Sequence, residues 1–343
     1  MSATPSQSAS MQMHRANGQN DSFRPSWLFR NGHVQTLAGT YVFGRWPSRT
    51  MLPKIISRWG EVPVGDGDRL VYLDECPGEW RSGDRVVLLL HGLSGSHDSP
   101  YMRRVAGMLH RRNARTIRLD WRGSGAGIEL ARYPYHSGRS GDLLATINEI
   151  KNRIPNSPIN VVGFSMGGNI LLKLLGESGD SSGITRAVSV CPPVDLAYTV
   201  QQLQFGLARY YDHYFAKACI RDVRRRQQMR PDAIVPDGWF SRPPRTMREF
   251  DESFTAPVCG FASADDYYLQ SSARQFLPKI VVPTLIIAAQ DDPVVPFGPL
   301  ESAELSSAIQ ISAPRHGGHM GFVTSGGPGW LDRQIVDWAS GES

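Results

Sequence analysis

The feature that most constrains this chain is a repeated alternation of short apolar runs with helical patterns. The apolar runs cover residues 85–90, 116–120, 159–164, 186–191 and 284–289. Near-continuous apolar runs of this length are typical of strands that are buried on both faces of a parallel sheet. The helical patterns between them include residues 102–112, 141–153 and 169–176. Strands and helices that alternate in this way form βαβ units, so we predict an open, mostly parallel α/β sheet with helices on both faces.

Two regions depart from this alternation. Residues 55–74 have the pattern of an antiparallel hairpin that turns around Val64-Gly65-Asp66-Gly67. Residues 196–248 contain no convincing buried strand but show helical spacing, followed by a very basic stretch. We therefore predict a helical cap over 196–248, inserted between a first part of the core at 23–195 and a second part at 249–343.

The composition excludes several classes of protein. A chain of 343 residues with 41% hydrophobic and 20% charged residues is neither disordered nor collagen-like. The four cysteines are scattered without a CxxC pair, which argues against a zinc site and a disulfide scaffold. No apolar run reaches the roughly 18 residues of a membrane span. Residues 1–22 lack the charged and apolar regions of a secretory signal, so we expect a disordered tail and a cytoplasmic protein.

A nucleophile is indicated by Gly163-Phe164-Ser165-Met166-Gly167. The pattern G-x-S-x-G is weak alone, but here it follows an apolar strand and opens a helix, which is the context of a nucleophile elbow. A sharp turn between strand and helix strains the serine and projects its hydroxyl from the carboxyl edge of the sheet. An ordinary glycine-rich turn is the alternative interpretation.

A serine nucleophile needs a base and an acid that orients it, in the chain order serine, acid, histidine. Only His213, His316 and His319 follow Ser165, and we favour His319 because two glycines precede it. His316 is the second choice, and a metal site of both histidines lacks an evident third ligand. For the acid we favour Asp292, which stands four residues before Pro296, over Asp291; two solvated loop carboxylates are the alternative.

An oxyanion hole would complete the site. One donor is expected to be the amide of Met166, directly after the nucleophile. The second should come from the loop His91-Gly92-Leu93-Ser94-Gly95, which follows a strand, and we predict the Leu93 amide. We expect His91 to hold this loop by a hydrogen bond, because its place in the chain is wrong for the base.

Several segments together resemble the α/β-hydrolases of the YheT-like branch, which includes mammalian α/β-hydrolase-domain lipases and esterases. The similarity runs from about Pro25 to the C-terminus. Its motifs are Asn31-Gly32-His33-Val34-Gln35-Thr36, His91-Gly92-Leu93-Ser94-Gly95, Asp120-Trp121-Arg122-Gly123, Gly163–Asn169 and Ala264-Asp265-Asp266-Tyr267-Tyr268. The resemblance implies the α/β-hydrolase fold, carboxylic ester hydrolysis, and Ser165, Asp292 and His319 as the triad. His33 belongs to the N-terminal signature and is interpreted as structural; Gly32 stands where proline is frequent.

The function predicted from these observations is a serine carboxylic ester hydrolase, of the short-chain carboxylesterase or monoacylglycerol-lipase type, that forms an acyl-enzyme on Ser165 without metal or organic cofactor. Aromatic residues of the cap, among them Tyr210, Tyr214 and Phe215, are candidates for an acyl pocket, although any one of them could simply pack the cap. Two alternatives stay open: an amide hydrolase or aminopeptidase with the same triad, and a non-enzymatic receptor on this fold.

The predicted cap carries ten arginines and lysines against four aspartates, so the rest of the chain is nearly neutral. Its basic run comprises Arg221, Arg224, Arg225, Arg226 and Arg230. This run is interpreted as a solvated helix face, with attraction to an anionic membrane surface as the alternative. Nucleic-acid binding is not expected, because no recognition module accompanies the charge.

Overall fold

A computed structural model describes residues 23–42, 54–325, 327 and 329–341. The tail predicted at 1–22 lies outside the described residues. Eight strands form one sheet in the order β1-β2-β4-β3-β5-β6-β7-β8. They are β1 Ile55–Pro63, β2 Arg69–Pro77, β3 Val86–Leu90, β4 Arg115–Asp120, β5 Ile159–Phe164, β6 Arg186–Val190, β7 Thr284–Ile287 and β8 Ile309–Ser312. The pairs from β4 to β8 are parallel, which confirms the predicted α/β sheet.

The predicted hairpin forms the antiparallel edge of this sheet. Strands β1 and β2 pair around the turn, from Ile55 opposite Pro77 to Pro63 opposite Arg69, and β2 runs antiparallel to β4. The central strands β3 and β5 are buried along their whole length, as their continuous apolar sequence predicts. Strand β6 ends one residue earlier than predicted, because Cys191 turns out of it with φ +47°.

Successive residues of β3 point to opposite sides of the sheet and enter two separate apolar clusters. Val86, Leu88 and Leu90 join the cluster that contains helices α3 Ser140–Arg153 and α4 Met166–Ser178. Val87 and Leu89 join the cluster that contains α2 Pro100–His110 and α11 Trp330–Ser340. The helices thus cover both faces, with a core on each side of the sheet.

Between β6 and β7 the chain forms five α-helices and no strand. They are α5 Leu196–Leu203, α6 Ala208–Met229, α7 Met247–Phe250, α8 Ala256–Cys259 and α9 Ala264–Ser271. These segments share an apolar cluster of their own, to which Trp239, Phe254 and Tyr268 contribute. The helical segment continues past residue 248, where we placed the end of the cap; the domain boundaries stay predictions.

The remaining α-helices of the described residues are short: α1 Gly32–Leu37, which precedes the sheet, and α10 Gly298–Glu301, which follows β7. Among the described residues, no helix is long and apolar enough to cross a bilayer.

The basic run on α6 is not a uniformly solvated face. Arg221, Arg224 and Arg225 are exposed, but Arg226 is only 3% exposed. The interpretation as a solvated face is therefore wrong for Arg226, because the periodicity of α6 turns this one side chain inward.

Candidate active site

Ser165 occupies a strained turn between β5 and α4. Its backbone has φ +50° and ψ −117°, a conformation that non-glycine residues rarely adopt. The flanking glycines allow the turn to be this tight. A Cβ at Gly163 would lie 2.5 Å from the Gly167 carbonyl oxygen, and one at Gly167 would lie 2.7 Å from that of His91. The arrangement is that of a nucleophile elbow, with Ser165 at the carboxyl end of a central strand.

Ser165, His319 and Asp292 lie in one hydrogen-bonded chain. The His319 Nε2 is 3.1 Å from the Ser165 Oγ, and its Nδ1 is 2.8 Å from the Asp292 Oδ2. When Nδ1 carries the proton and donates to the carboxylate, Nε2 is free to accept the proton of the serine hydroxyl. The three residues come from three separate loops at the carboxyl edge of the sheet.

The carboxylate of Asp292 is held by its own turn. Its Oδ1 accepts hydrogen bonds from the amides of Val294 and Val295, at 2.8 and 2.9 Å. Only the second oxygen then remains for His319, which determines the direction in which the carboxylate faces. The side chain of Asp292 is 1% exposed, so water does not compete for this bond.

The alternative pair, Asp291 and His316, has different partners. The Asp291 Oδ2 lies 3.3 Å from the His316 Nδ1, and its Oδ1 accepts the Gly318 amide at 2.9 Å. These bonds connect the acid loop to the histidine loop. The structure brings Asp292 and His319 to Ser165, whereas Asp291 and His316 pair with each other beside the triad. The third histidine, His213, lies in the cap and contacts the Arg245 carbonyl oxygen.

The loop after β3 lies directly against the nucleophile. A Cβ at Gly92 would be 3.2 Å from the Ser165 Cβ, so the absence of a side chain permits this approach. The amides on either side of Leu93 are engaged by tyrosine hydroxyls, that of Gly92 by Tyr101 and that of Ser94 by Tyr135. Among the described residues no acceptor binds the Leu93 amide.

The amide of Met166 is the first of α4, where a helix has no internal acceptor to offer it. Leu93 and Met166 therefore each retain an N–H group beside Ser165, which suits the oxyanion positions expected from the sequence.

His91 supports this loop from within the core. It is fully buried; its Nδ1 donates to the Gly92 carbonyl oxygen at 2.7 Å, and its Nε2 accepts from the Trp121 amide at 3.3 Å. Burial lowers the pKa of His91, which favours the neutral ring that these bonds require. Trp121 in turn donates its indole N–H to the His91 carbonyl oxygen at 3.0 Å.

Helix α1, part of the N-terminal signature, forms hydrogen bonds with the loop that contains His319. The Thr36 Oγ1 accepts the His319 amide at 2.8 Å and donates to the Gly32 carbonyl oxygen at 2.8 Å. The buried Gln35 side chain accepts the Val323 amide at 2.6 Å and donates to the Val323 carbonyl oxygen at 3.1 Å. A Cβ at Gly32 would lie 1.9 Å from the Asp291 carbonyl oxygen, so glycine is needed at this position in this chain.

His33, interpreted as structural, links α1 to the cap. Its ring stacks on that of Tyr211 at 5.6 Å between centroids, and its Nδ1 lies 3.1 Å from the Tyr211 hydroxyl.

A cavity of about 570 Å³ opens at Ser165 between the sheet and the cap. All three predicted substrate residues line it: Tyr210 and Tyr214, which are 75% and 52% exposed, and the half-buried Phe215. Tyr211 of the cap lines it as well. Trp239 and Phe205 do not line it: Trp239 packs in the cap cluster, and Phe205 is 61% exposed.

Cys191 lies behind the acid and was not anticipated from the sequence. Its Sγ, one Asp292 oxygen and one His319 nitrogen lie within 4.8 Å of one another, the one group of three metal-ligating residue types found among the described residues. Burial and the Asp292 charge raise the pKa of the Cys191 thiol well above its usual value. The protonated thiol is thus part of the buried wall that surrounds the Asp292 carboxylate. Among the described residues, His316 does not belong to this group, so the two histidines together do not share a third metal-ligating residue.

Comparison with known proteins places the chain in a family. The profile of the family described as alpha/beta hydrolase fold matches residues 85–325. The chain belongs to the α/β-hydrolase family. The putative esterase YheT of Escherichia coli (strain K12) is 31% identical to it over 330 residues, 92% of each chain. This match supports the YheT-like branch of the family, and the chain is a hydrolase of the esterase and lipase type.

Two eukaryotic relatives named as lipases match over a shorter range. Monoacylglycerol lipase of Saccharomyces cerevisiae is 28% identical over 254 residues, 69% of this chain and 54% of that protein. Phospholipase ABHD3 of Mus musculus is 27% identical over 241 residues, 69% of this chain and 58% of that protein. The chain thus spans little more than half the length of these two relatives.

Among solved structures, the Pyrococcus furiosus esterase Pf2001 aligns with a TM-score of 0.55 at 17% identity, covering 83% of this chain and 92% of that one. At this identity the match shows the shared fold alone.

Proposed function

We propose that this α/β-hydrolase cleaves carboxylic esters through an acyl-enzyme on Ser165. The observation that carries the proposal is the position of His319, which bridges the Ser165 hydroxyl at 3.1 Å and the Asp292 carboxylate at 2.8 Å. A serine hydroxyl is a weak nucleophile, and a histidine oriented in this way activates it. The strained elbow and the two free amides beside it suit acyl transfer.

In the first half of the reaction, the Ser165 oxygen attacks the ester carbonyl carbon while the His319 Nε2 takes the hydroxyl proton. The carbonyl oxygen becomes an oxyanion, which the amides of Leu93 and Met166 stabilise. The C–O bond to the alcohol then breaks, and the imidazolium of His319 gives its proton to the leaving alkoxide. The charge of Asp292 stabilises this imidazolium.

In the second half, His319 removes a proton from water, which attacks the acyl-enzyme carbonyl. The tetrahedral intermediate collapses, the bond to Ser165 breaks, and His319 returns the proton to the serine oxygen. The carboxylic acid leaves. The described residues supply every proton transfer in this sequence.

The substrate class we propose is a short-chain ester or an acylglycerol. A cavity of about 570 Å³ lined by Tyr210, Tyr214 and Phe215 is of the size and apolar character that suit an acyl chain. The relatives named monoacylglycerol lipase and phospholipase support a lipid-like ester.

We also propose peripheral contact with an anionic membrane near the cavity mouth. Large apolar side chains are exposed on the N-terminal segment and at the start of the cap, two regions that His33 and Tyr211 join. These exposed residues are Trp27, Leu28, Leu37, Tyr41, Phe205, Leu207, Tyr210 and Tyr214, called here the apolar rim. Apolar side chains beside the basic residues of α6 are suited to a lipid surface of negative charge.

Fluorophosphonate labelling tests the nucleophile. The wild type should react covalently and Ser165→Ala should not, because no other serine is expected to be activated. Ser137→Ala, a change at another serine that lines the cavity, is the matched control and should label like the wild type. Equal labelling of wild type and Ser165→Ala would remove Ser165 from the mechanism.

A series of p-nitrophenyl esters and monoacylglycerols of increasing chain length tests the substrate class. The series separates a short-chain esterase from a lipase by the length at which kcat/KM is highest. Amino-acid amides belong in the same series, because the triad also suits an amide hydrolase. Cleavage of the amides without cleavage of any ester would contradict the proposed function, and slow turnover with tight retention of the ligand would favour a receptor.

A further inference from the structure

Arg226 stands in the basic run of α6 but does not share its exposure. Only 3% of the residue is exposed, and it lines the cavity that contains Ser165. Its stem packs against Gly123, where an added Cβ would come within 2.6 Å of the arginine Cδ. This packing holds a guanidinium group in the wall of the cavity, under the cap.

The described residues provide no anion for this cation. Among the described residues, no carboxylate lies within ion-pair distance of Arg226, and its Nε has no hydrogen-bond partner. The Nη2 donates to the Ile234 carbonyl oxygen at 3.3 Å, and the guanidinium lies 5.8 Å from the centre of the Phe254 ring. Burial lowers the pKa of Arg226 to about 10, since these neutral contacts do not offset the loss of water.

Arg122, in the same cavity wall, is a buried arginine that does form ion pairs, and it serves as a comparison for Arg226. It is also only 3% exposed, but its nitrogens bond Asp142, Asp66 and Asp68 at 2.6 to 3.0 Å. These carboxylates outweigh the effect of burial and raise the pKa of Arg122. A buried arginine without such partners is therefore an exception that requires its own explanation.

The other acids of the cavity wall are already engaged. Asp222 lies 3.5 Å from Arg221. Asp251 accepts the hydroxyls of Tyr268 and Thr255 at 2.8 and 2.7 Å, and burial raises its pKa to about 7. Neither acid bonds Arg226, so the cavity retains one uncompensated positive charge among its described residues.

The position of Arg226 on α6 relates this charge to the reacting ester. Cys219, seven residues earlier on the same helix, lines the same cavity as Ser94, the residue that follows Leu93. Seven residues of α-helix span roughly 10 Å. A substrate group that contacts Arg226 is thus several bonds away from the ester carbonyl of the same substrate, when that carbonyl is bound by the amides of Leu93 and Met166.

We propose that Arg226 binds an anionic group, a carboxylate or a phosphate, at the far end of the ester substrate. The proposal rests on the proposed function and narrows its substrate class to anionic esters. An incoming anion would supply the hydrogen-bond acceptor that the Nε lacks and the charge that the cavity lacks. Selectivity for anionic over neutral esters follows, because a neutral substrate leaves the guanidinium buried and unpaired.

The test compares two matched pairs of esters. On the acyl side, p-nitrophenyl hexanoate is compared with mono-p-nitrophenyl adipate, which ends in a carboxylate. On the alcohol side, 1-butyrylglycerol is compared with 1-butyrylglycerol 3-phosphate. The readout is the ratio of kcat/KM for the anionic ester to that for its neutral partner, and the pair that responds identifies the source of the anion.

In Arg226→Gln this ratio should fall by roughly tenfold or more for at least one pair, the loss expected for one hydrogen bond to a charged group. Arg226→Lys should recover part of it, since it keeps the charge. Arg225→Gln, a change at an exposed neighbour on the same helix, should leave both ratios as in the wild type. Unchanged ratios in a folded Arg226→Gln, or an equal fall in Arg225→Gln, would overturn the proposal.

A binding measurement separates this proposal from the proposed function. Inorganic phosphate and glutarate are titrated calorimetrically against the wild type, Arg226→Lys and Arg226→Gln. If the wild type cleaves no ester, the proposed function fails, yet binding that is lost in Arg226→Gln still supports the anion site. If Arg226→Gln does not fold, the wild type decides: binding of neither anion overturns the site, and binding that Arg226→Lys weakens but retains supports it.

Discussion

At the scale of single residues, the adjacent carboxylates Asp291 and Asp292 have different hydrogen-bond partners. Asp292 faces the histidine that reaches Ser165, and two amides of its own turn hold it there. Asp291 receives the Gly318 amide and faces His316, and so connects two loops. The orientation of each side chain in the turn thus gives two like residues different partners, and only Asp292 faces the proposed catalytic base.

Asp292→Asn should lower kcat roughly 10³- to 10⁴-fold, because the amide does not stabilise the imidazolium of His319 and favours its wrong tautomer. Asp291→Asn keeps an oxygen for the Gly318 amide and should cost no more than about tenfold. Steady-state hydrolysis of a p-nitrophenyl ester measures both. The reverse order of the two effects would move the role of the acid to Asp291.

At the scale of elements, α1 couples a distant part of the chain to the site. The Thr36 hydroxyl holds the His319 amide, and Gln35 holds Val323 on the far side of the same loop. This loop contains Met320 and Phe322 at φ +60° and +44°, which are unfavourable conformations for side-chain-bearing residues. Contacts from α1 therefore stabilise a loop whose own backbone does not favour its shape.

Thr36→Val preserves the shape of the side chain but removes the acceptor for the His319 amide. We expect the free energy of unfolding to fall by about 1–2 kcal/mol and kcat to fall roughly tenfold with little change in KM. Thr36→Ser retains the hydroxyl and should recover most of kcat. The two variants are compared by urea denaturation and by ester hydrolysis. A Thr36→Val enzyme with the kcat of the wild type would show that α1 does not position His319.

The π-helical segment Asp251–Thr255 between α7 and α8 contains a buried carboxyl group, that of Asp251, whose pKa differs from its value in the unfolded chain. Burial raises the pKa of Asp251 from 3.8 to about 7, against the hydroxyls of Thr255 and Tyr268, which lower it. Between these two values the folded protein holds a proton that the unfolded chain has lost. The contribution of Asp251 to the free energy of unfolding therefore falls as the pH rises from about 4 to about 7 and is constant above that range.

Asp251→Asn removes this dependence. The difference in unfolding free energy between wild type and Asp251→Asn should decline with pH over that range, by up to about 1.4 kcal/mol per pH unit, and then level off. Denaturant unfolding at several pH values measures it. Parallel curves for the two proteins would show that Asp251 is ionised in the folded state throughout the range.

At the scale of the whole molecule, charge and apolar exposure are concentrated on the side of the cap. The segment 196–248 carries all of the excess positive charge of the sequence, since the rest of the chain is nearly neutral. The apolar rim lies on the start of this segment and on the N-terminal residues that contact it. Both features lie near the mouth of the cavity, which would bring a lipid ester close to Ser165.

Vesicles that contain phosphatidylserine should bind the protein at low salt, and binding should weaken as the salt concentration rises, because salt screens the arginines of α6. A double change of Phe205 and Leu207 to serine should reduce binding several-fold at every salt concentration, since it removes apolar contact area. Val281→Ser, a change at a residue that is 56% exposed just before β7, is the control and should bind like the wild type. Co-sedimentation measures all three, and an unaffected double variant would exclude the apolar rim as the contact.

Much of the fold and part of the site could be predicted along the chain. The central strands β3 and β5 were recognisable because a strand buried on both faces must be apolar throughout. The elbow was recognisable because glycines must flank Ser165 at two fixed positions. Arg226 could not be separated from Arg225 in this way, because a run of arginines on a helix shows its periodicity only once the inward face is known.

By itself, the sequence determined the α/β class, the elbow at Ser165 and the short list of bases and acids that could serve it, because these depend on local patterns and on chain order. Tertiary structure decided which members of that list meet. The choice of Asp292 and His319 over Asp291 and His316 depends on distances between loops far apart in the chain. Three further features likewise exist only where separate segments pack: the hydrogen bonds from α1 to the His319 loop, the packing of Cys191 behind Asp292, and the unpaired charge of Arg226. Local sequence carries no signal for such contacts.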